Sequence, residues 1–351
     1  MHPSGQFPNP AFTVLMAAYQ TERWIAGAID SVLAQTREDW ELIVIDDGSP
    51  DALAERVERL ASDDGRVRLI RQSNRGIGAA RNAGAAVACG RYLTVLDSDD
   101  ALLPDYLETV GAVLDARPEV GLVSSDAHVF LETQARIRRA TYLQGRAVDP
   151  PPRPDPARHL ERILDHNFIY PGATIRRSTF EAVGGFDPDR AVLGADDWQL
   201  WIRVAASGAQ TVVVDRPLAT YRLRLGSGSR DGDGAYRLDA PGERVLEKAL
   251  REHCLSRQER LAALRTLGFC RRRARLRSAR EALRGGDSQL ALRLARAAFR
   301  AQPTLKGAMI VGALNVAPGA LRWAHGAKGR LRQAVQSPLD AVSLRVLPTR
   351  R

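Results

Sequence analysis

Three carboxylates in four residues, Asp97-Ser98-Asp99-Asp100, follow directly on the apolar run Leu93-Thr94-Val95-Leu96. Like charges at that density repel, and a divalent cation with hard oxygen ligands is the simplest relief. Such a cation would in turn bridge a diphosphate. The plain alternative is a solvated acidic loop that caps a helix near Leu103. A second acidic pair, Asp46-Asp47-Gly48-Ser49, ends the apolar run Leu42-Ile43-Val44-Ile45. Acids placed there can accept hydrogen bonds from a base N–H or from ribose hydroxyls, although Asp-Gly-Ser is also ordinary turn chemistry.

Both acidic groups need a scaffold that delivers them to one edge. Short apolar runs alternate with helical patterns through the first half of the chain, the sequence form of βαβ units and a mostly parallel sheet. Strands are expected at Thr13–Ala17, Leu42–Ile45, Val67–Ile70, Tyr92–Leu96 and Val120–Val123. Between the first two, Ile25, Ala28, Ile29, Val32 and Leu33 form a helical stripe, with Thr21 placed to cap it. Leu53, Val57 and Leu60 mark a second helix, and the alanine-rich stretch Gly76–Cys89 a third. In open α/β sheets ligands bind at the carboxyl ends of the strands, where these acids fall. The run Asp149-Pro150-Pro151-Pro152-Arg153-Pro154-Asp155-Pro156 reads as a surface loop.

The chain has 351 residues, enough for one large α/β domain and an appendage, and carries a net charge of +10. Residues 1–242 hold 27 Lys and Arg against 34 Asp and Glu, whereas residues 243–351 hold 24 against 7. The basicity therefore belongs to the C-terminal region, which suggests contact with an anionic surface, phospholipid or nucleic acid, or simply solvated helix faces. That region is helical in pattern, broken at Gly285-Gly286-Asp287 and Pro303. Ala291, Leu294, Ala295, Ala298 and Phe299 lie on one stripe, so the helices around Gly285-Gly286 are expected to form a hairpin. Gly307–Leu321 is uncharged but shorter than the roughly 20 residues that span a bilayer. It suits a membrane interface, flanked by Lys306, Arg322, Lys328, Arg330 and Arg332, or a buried helix. Cys89, Cys254 and Cys270 lack the spacing of a zinc or disulfide framework and fit a reducing, cytoplasmic setting. Met1–Pro10 reads as a short flexible lead-in with no secretory signal.

Taken together, Val14-Leu15-Met16-Ala17-Ala18-Tyr19, Ser31-Val32-Leu33-Ala34-Gln35-Thr36, Asp46-Asp47-Gly48-Ser49, Asn74-Arg75-Gly76 with Ala80-Arg81-Asn82, and Asp97-Ser98-Asp99-Asp100 resemble the family 2 glycosyltransferases in order and spacing. The resemblance implies an α/β GT-A fold with a mostly parallel central sheet over residues 11–240, a nucleotide-binding half at 11–125 and an acceptor half at 126–240. A basic helical region at 241–351 would follow. It implies a nucleoside-diphosphate sugar donor, a carbohydrate or lipid-linked acceptor, and a divalent metal, Mg²⁺ or Mn²⁺. Ala17, Tyr19 and Glu22 would wrap the nucleotide, Asp47, with Asp46 beside it, would read the base edge, and Arg81 would meet the donor phosphates. Asp97 would hold ribose or sugar and Asp99 would ligate the metal, with Asp100 in reserve.

Ala195-Asp196-Asp197-Trp198 resembles the family's Glu-Asp motif at the start of a helix, with Asp196 where glutamate is usual. The resemblance makes Asp197 the base that takes the proton from an acceptor hydroxyl, giving inversion in one displacement. The plain reading is that both acids favour the helix start through its dipole. Tyr221–Ser229 resembles the family's closing loop, with Arg224 where histidine is frequent; an arginine there would neutralise the leaving diphosphate. No Gln-x-x-Arg-Trp pattern follows Asp197, which favours transfer of a single sugar, in bacterial-type surface polysaccharide or glycoconjugate synthesis, over processive polymerisation. A peripheral place at the inner face of the membrane fits the basic region. A dinucleotide-dependent oxidoreductase is disfavoured because Gly76-Ile77-Gly78 follows the third strand and the full glycine fingerprint is absent. A non-catalytic sugar-nucleotide binder or membrane scaffold is disfavoured by Asp99 and Asp197, and nucleic-acid binding by the tail is the least expected partner.

Overall fold

A computed structural model of the protein describes residues 10–145, 159–224 and 239–319. The expected lead-in before residue 10, the proline-rich segment Asp149–Pro156, the part of the closing loop from Leu225 to Ser229, and the basic positions from Arg322 onward lie outside the described residues.

The first four strands are β1 (Phe12–Ala18), β2 (Trp40–Asp46), β3 (Val67–Arg71) and β4 (Tyr92–Val95), and they pair in parallel in the order β3-β2-β1-β4. β1, β2 and β4 are buried along their whole length, as expected of strands covered on both faces. Right-handed crossovers need a helix between such strands. α1 (Glu22–Leu33), α2 (Leu53–Ala61) and α3 (Ile77–Ala86) supply them. Thr21 occupies the N-cap position of α1, but its hydroxyl makes no capping bond and is buried without a partner, which corrects the expected cap.

After the short strand β5 (Ala101–Leu102) and α4 (Tyr106–Ala116), the sheet changes character. β6 runs from Val120 to Leu131, well beyond the expected Val123. Its continuation through Ser124-Ser125-Asp126 is polar yet buried, because Ser124 Oγ donates to the Tyr170 carbonyl and Asp126 Oδ1 accepts from the Ala127 and Leu143 amides. Satisfied polar groups bury without penalty, so an apolar pattern was not needed there. Beyond lie β7 (Arg136–Ile137), α5 (Tyr142–Gly145), α6 (His159–Asp165), β8 (Thr174–Arg176), α7 (Arg177–Ala182), α8 (Asp196–Ala206) and β9 (Gln210–Leu223). β8 lies antiparallel between β4 and β6, and β9 lies parallel to β6 and antiparallel to β5.

Among the described residues, those up to Arg224 form one compact unit and those from Asp239 onward another. The second contains α9 (Asp239–Glu252), α10 (Arg257–Arg284), α11 (Ser288–Ala301) and α12 (Leu305–Val316). A capping box between Ser256 and Glu259 opens α10, and Asp287 accepts from the Leu290 amide to open α11. Ala291 and Ala295 of the expected stripe pack on Ala279 and Leu283 of α10.

Candidate active site

Because β1, β2 and β4 run parallel, with Ala18 opposite Asp46 and Leu15 opposite Val95, the segments that follow them emerge at one edge. After β4, accessibility alternates: Asp97 and Asp99 are half-buried, while Ser98 and Asp100 are buried. The two outward carboxylates each engage a guanidinium, Asp97 Oδ1 at 2.6 Å from Arg81 Nη2 and Asp99 Oδ2 at 2.6 Å from Arg224 Nε. Burial, followed by the charge of Asp97, raises the Asp99 pKa, with Arg224 opposing. Asp100 has both oxygens taken by the protein, at 2.7 Å from the Tyr170 hydroxyl and 2.8 Å from the Arg222 amide. It does not fit the reserve metal role.

Arg81 departs from expectation. It lies on the inward face of α3 with Gly78, Ala80, Gly84 and Ala85, is only 3% exposed, and does not face an open phosphate site. Its Nη1 sits 2.7 Å from Asp196 Oδ2 while Nη2 holds Asp97. One arginine thus ties the loop after β4 to the first residue of α8. Burial works against its charge, but the carboxylates of Asp97, Asp196 and Asp197 outweigh that and raise its pKa. Asp196 is buried and also accepts from the Gly194 amide, so it serves this junction.

Asp197, the next residue, is half-buried. Its Oδ1 accepts from the Trp198 amide at 2.7 Å, and its Oδ2 lies 3.4 Å from Asn167 Nδ2. Burial and then the neighbouring Asp196 charge push its pKa up to about 6, the range of a carboxylate able to exchange a proton near neutrality. Trp198 points away into the core and donates its indole N–H to the Ile163 carbonyl. A shallow, open hollow between the start of α3 (Arg75, Gly76) and the loop before α8 (Asp187, Arg190) borders Asp196.

Arg224 also stacks on Trp24, its guanidinium carbon 4.3 Å from the indole centroid. The Trp24 indole N–H donates to Glu132 at 2.7 Å, and Arg222 Nε donates to the Asp99 carbonyl at 2.8 Å. Trp24 and Glu132 were not legible as site residues, since their contact joins positions 108 residues apart in sequence.

The nucleotide-side residues are placed as follows. Ala17 is buried within β1 and Tyr19 is 44% exposed just beyond it. Glu22 faces α2 instead, accepting from the Ala52 amide at 3.3 Å. Asp46 accepts from the Ser49 amide, closing the turn. Asp47 accepts from Gln72 Nε2, the Arg75 amide and the Gly76 amide, so it fixes the entry to α3 rather than presenting a free carboxylate. Gly48 has φ +76°, and a Cβ there would lie 2.9 Å from the Asn74 amide nitrogen, so the turn requires glycine.

Among the described residues no cluster of three or more His, Cys, Asp or Glu converges into a ready-made cation cage. Asp97 and Asp99 nevertheless fit a hard divalent ion in donor type and accessibility. Mg²⁺ in particular is commonly held by one or two carboxylates with substrate phosphates and water.

Comparison with known proteins gives the same picture. The model for Glycosyl transferase family 2 matches residues 13–184. The succinoglycan biosynthesis protein ExoO of Rhizobium meliloti is 34% identical over 244 residues, 66% of each chain. The chain spans about two thirds of ExoO but only 29% and 14% of two other bacterial relatives. The fold is GT-A: the S. aureus TarS 1–349 complex with UDP-GlcNAc superposes with a TM-score of 0.59 at 16% identity, covering 83% of this chain and 81% of that one. The mannosyltransferase PcManGT from Pyrobaculum calidifontis, in complex with GDP-Man and Mn²⁺, gives 0.53 at 19% identity, covering 95% and 85%.

Proposed function

Given that the chain belongs to glycosyl transferase family 2, we propose that it moves a single sugar from a nucleoside-diphosphate sugar to an acceptor hydroxyl with inversion, the work of residues 11–240. The observation that carries this reading is the Asp97–Arg81–Asp196 junction, which sets the donor-side carboxylates beside the acid pair that opens α8.

In this reading the donor lies along the edge formed after β1, β2 and β4, with Ala17 and Tyr19 bordering the nucleotide and the Asp47-braced loop shaping its base pocket. Asp99, with Asp97 beside it, would hold Mg²⁺ or Mn²⁺. When bound, that ion neutralises the diphosphate and makes it a better leaving group. Arg224 turns from Asp99 to the same phosphates, while Trp24 keeps its guanidinium plane in place. Asp197 takes the proton from the acceptor hydroxyl as that oxygen bonds to the anomeric carbon. The bond from that carbon to the phosphate oxygen breaks, and the nucleoside diphosphate leaves with the electron pair. Asn167 and the Trp198 amide hold the Asp197 carboxylate as it gains the proton.

The acceptor is a carbohydrate or lipid-linked glycan of a surface polysaccharide, made at the cytoplasmic face of the membrane. Similarity to ExoO over two thirds of both chains supports that class, and the basic C-terminal unit supports an anionic membrane partner. The test is a thermal-shift screen of nucleotide sugars with Mn²⁺ followed by NMR of the transfer product. An inverted anomeric configuration is expected, and a retained one would overturn the single displacement.

A further inference from the structure

Helix α12 is apolar on both sides. Its inner residues Ile310, Val311 and Leu314 pack on the cluster of Ala279, Leu283, Ala291 and Ala295. On the opposite side Leu305, Met309, Gly312 and Val316 recur at i, i+4, i+7 and i+11 and so form one line. Leu305 is 81% exposed, Met309 67% and Val316 86%, and a side chain added at Gly312 would meet open space. A helix hydrophobic all round normally has both faces covered.

The charge around this face indicates what covers it. From Ser288 to Leu339 the sequence has no Asp or Glu. Within the described residues Arg293, Arg296 and Arg300 lie on α11 and Lys306 on α12, and Arg296 Nη2 reaches Asn315 of α12 at 3.0 Å. Arg322, Lys328, Arg330 and Arg332 follow in sequence. An exposed apolar line on the helix pair α11 and α12, which carries arginine and lysine but no Asp or Glu, matches the boundary between anionic headgroups and acyl chains. At 12 residues, about 18 Å long, α12 is too short to cross a bilayer.

We propose that the outer line of α12, Leu305, Met309 and Val316, inserts into an anionic phospholipid surface and that Lys306 with the α11 arginines Arg293, Arg296 and Arg300 holds the headgroups. This deepens the membrane partner named above and rests on that reading, adding which side chains enter the lipid.

The experiment is co-sedimentation of the full chain with phosphatidylcholine vesicles, with and without phosphatidylglycerol, comparing wild type with Leu305→Ser/Met309→Ser/Val316→Ser. Wild type should bind the anionic vesicles, and the triple variant should bind at least tenfold more weakly with an unchanged melting temperature. Binding by the triple variant equal to wild type would refute insertion of α12 while leaving the membrane reading intact. A fall of several degrees in its melting temperature would show that the face is covered by protein and overturn the inference. No binding of wild type to anionic vesicles, or salt-sensitive binding to duplex DNA in their place, would overturn both.

Discussion

Arg81 Nη1 lies 2.7 Å from Asp196 Oδ2, joining residues 115 positions apart within the first compact unit. Since the other guanidinium arm holds Asp97, one buried side chain ties the loop after β4 to the start of α8. Replacing Arg81 with Met leaves Asp196 buried without its cation. Removing one partner of a buried pair costs about 3–5 kcal/mol, so the urea midpoint should fall accordingly with the slope unchanged. A midpoint within experimental error of wild type would show that the junction carries no stability.

As the proposed base Asp197 would act only when deprotonated, and burial together with Asp196 pushes its pKa up to about 6. The turnover rate should therefore be level above neutrality and fall tenfold per pH unit as pH drops below about 6. Asn167 donates to the same carboxylate and favours its charged form, so Asn167→Ala should move the midpoint upward. A profile whose midpoint is the same in both proteins would remove Asn167 from the support of the base.

Asp99 and Asp100 are adjacent yet should behave differently. Asp99→Ala should abolish the effect of Mn²⁺ on nucleotide binding, read by calorimetry. Asp100→Ala should keep that effect and lose stability instead, about 1–3 kcal/mol for each donor left unpaired, the Tyr170 hydroxyl and the Arg222 amide. An unchanged Mn²⁺ response in Asp99→Ala would refute its assignment as the ligand.

Trp24→Ala removes the face on which the Arg224 guanidinium rests. A cation–π contact of this kind contributes about 0.5–2 kcal/mol, so KM for the donor should rise roughly 2- to 30-fold. The melting temperature should change little, because Trp24 is only half-buried. Unaltered donor KM would show that Arg224 needs no platform.

Much of this site is visible in the residues alone, because clustered carboxylates at strand ends and helix starts carry a strong local pattern. Asp97 and Asp99 stand out as part of an acidic cluster, and Asp197 through the family resemblance. The resemblance assigns Arg81 to the donor phosphates, whereas the structure buries it between Asp97 and Asp196. The available signal was its phase: Ile77, Ala80, Arg81, Gly84 and Ala85 share one stripe, and an arginine on an inward stripe must find acids. Asp47 and Glu22 were read as ligand contacts, yet their oxygens close loops whose amides lie 28 to 30 residues away in sequence. Pairings at that distance depend on register, which one sequence does not display. The same reason hid Trp24, Glu132 and the polar half of β6.

The central claim is that Asp197 takes the acceptor proton, and the turnover rate of Asp197→Asn at saturating donor and metal tests it most directly. Loss of a general base lowers the rate by about 10²- to 10⁴-fold, and because the residue serves the acceptor, donor affinity measured on the same sample should match wild type. Transfer within a few-fold of wild type would contradict the account.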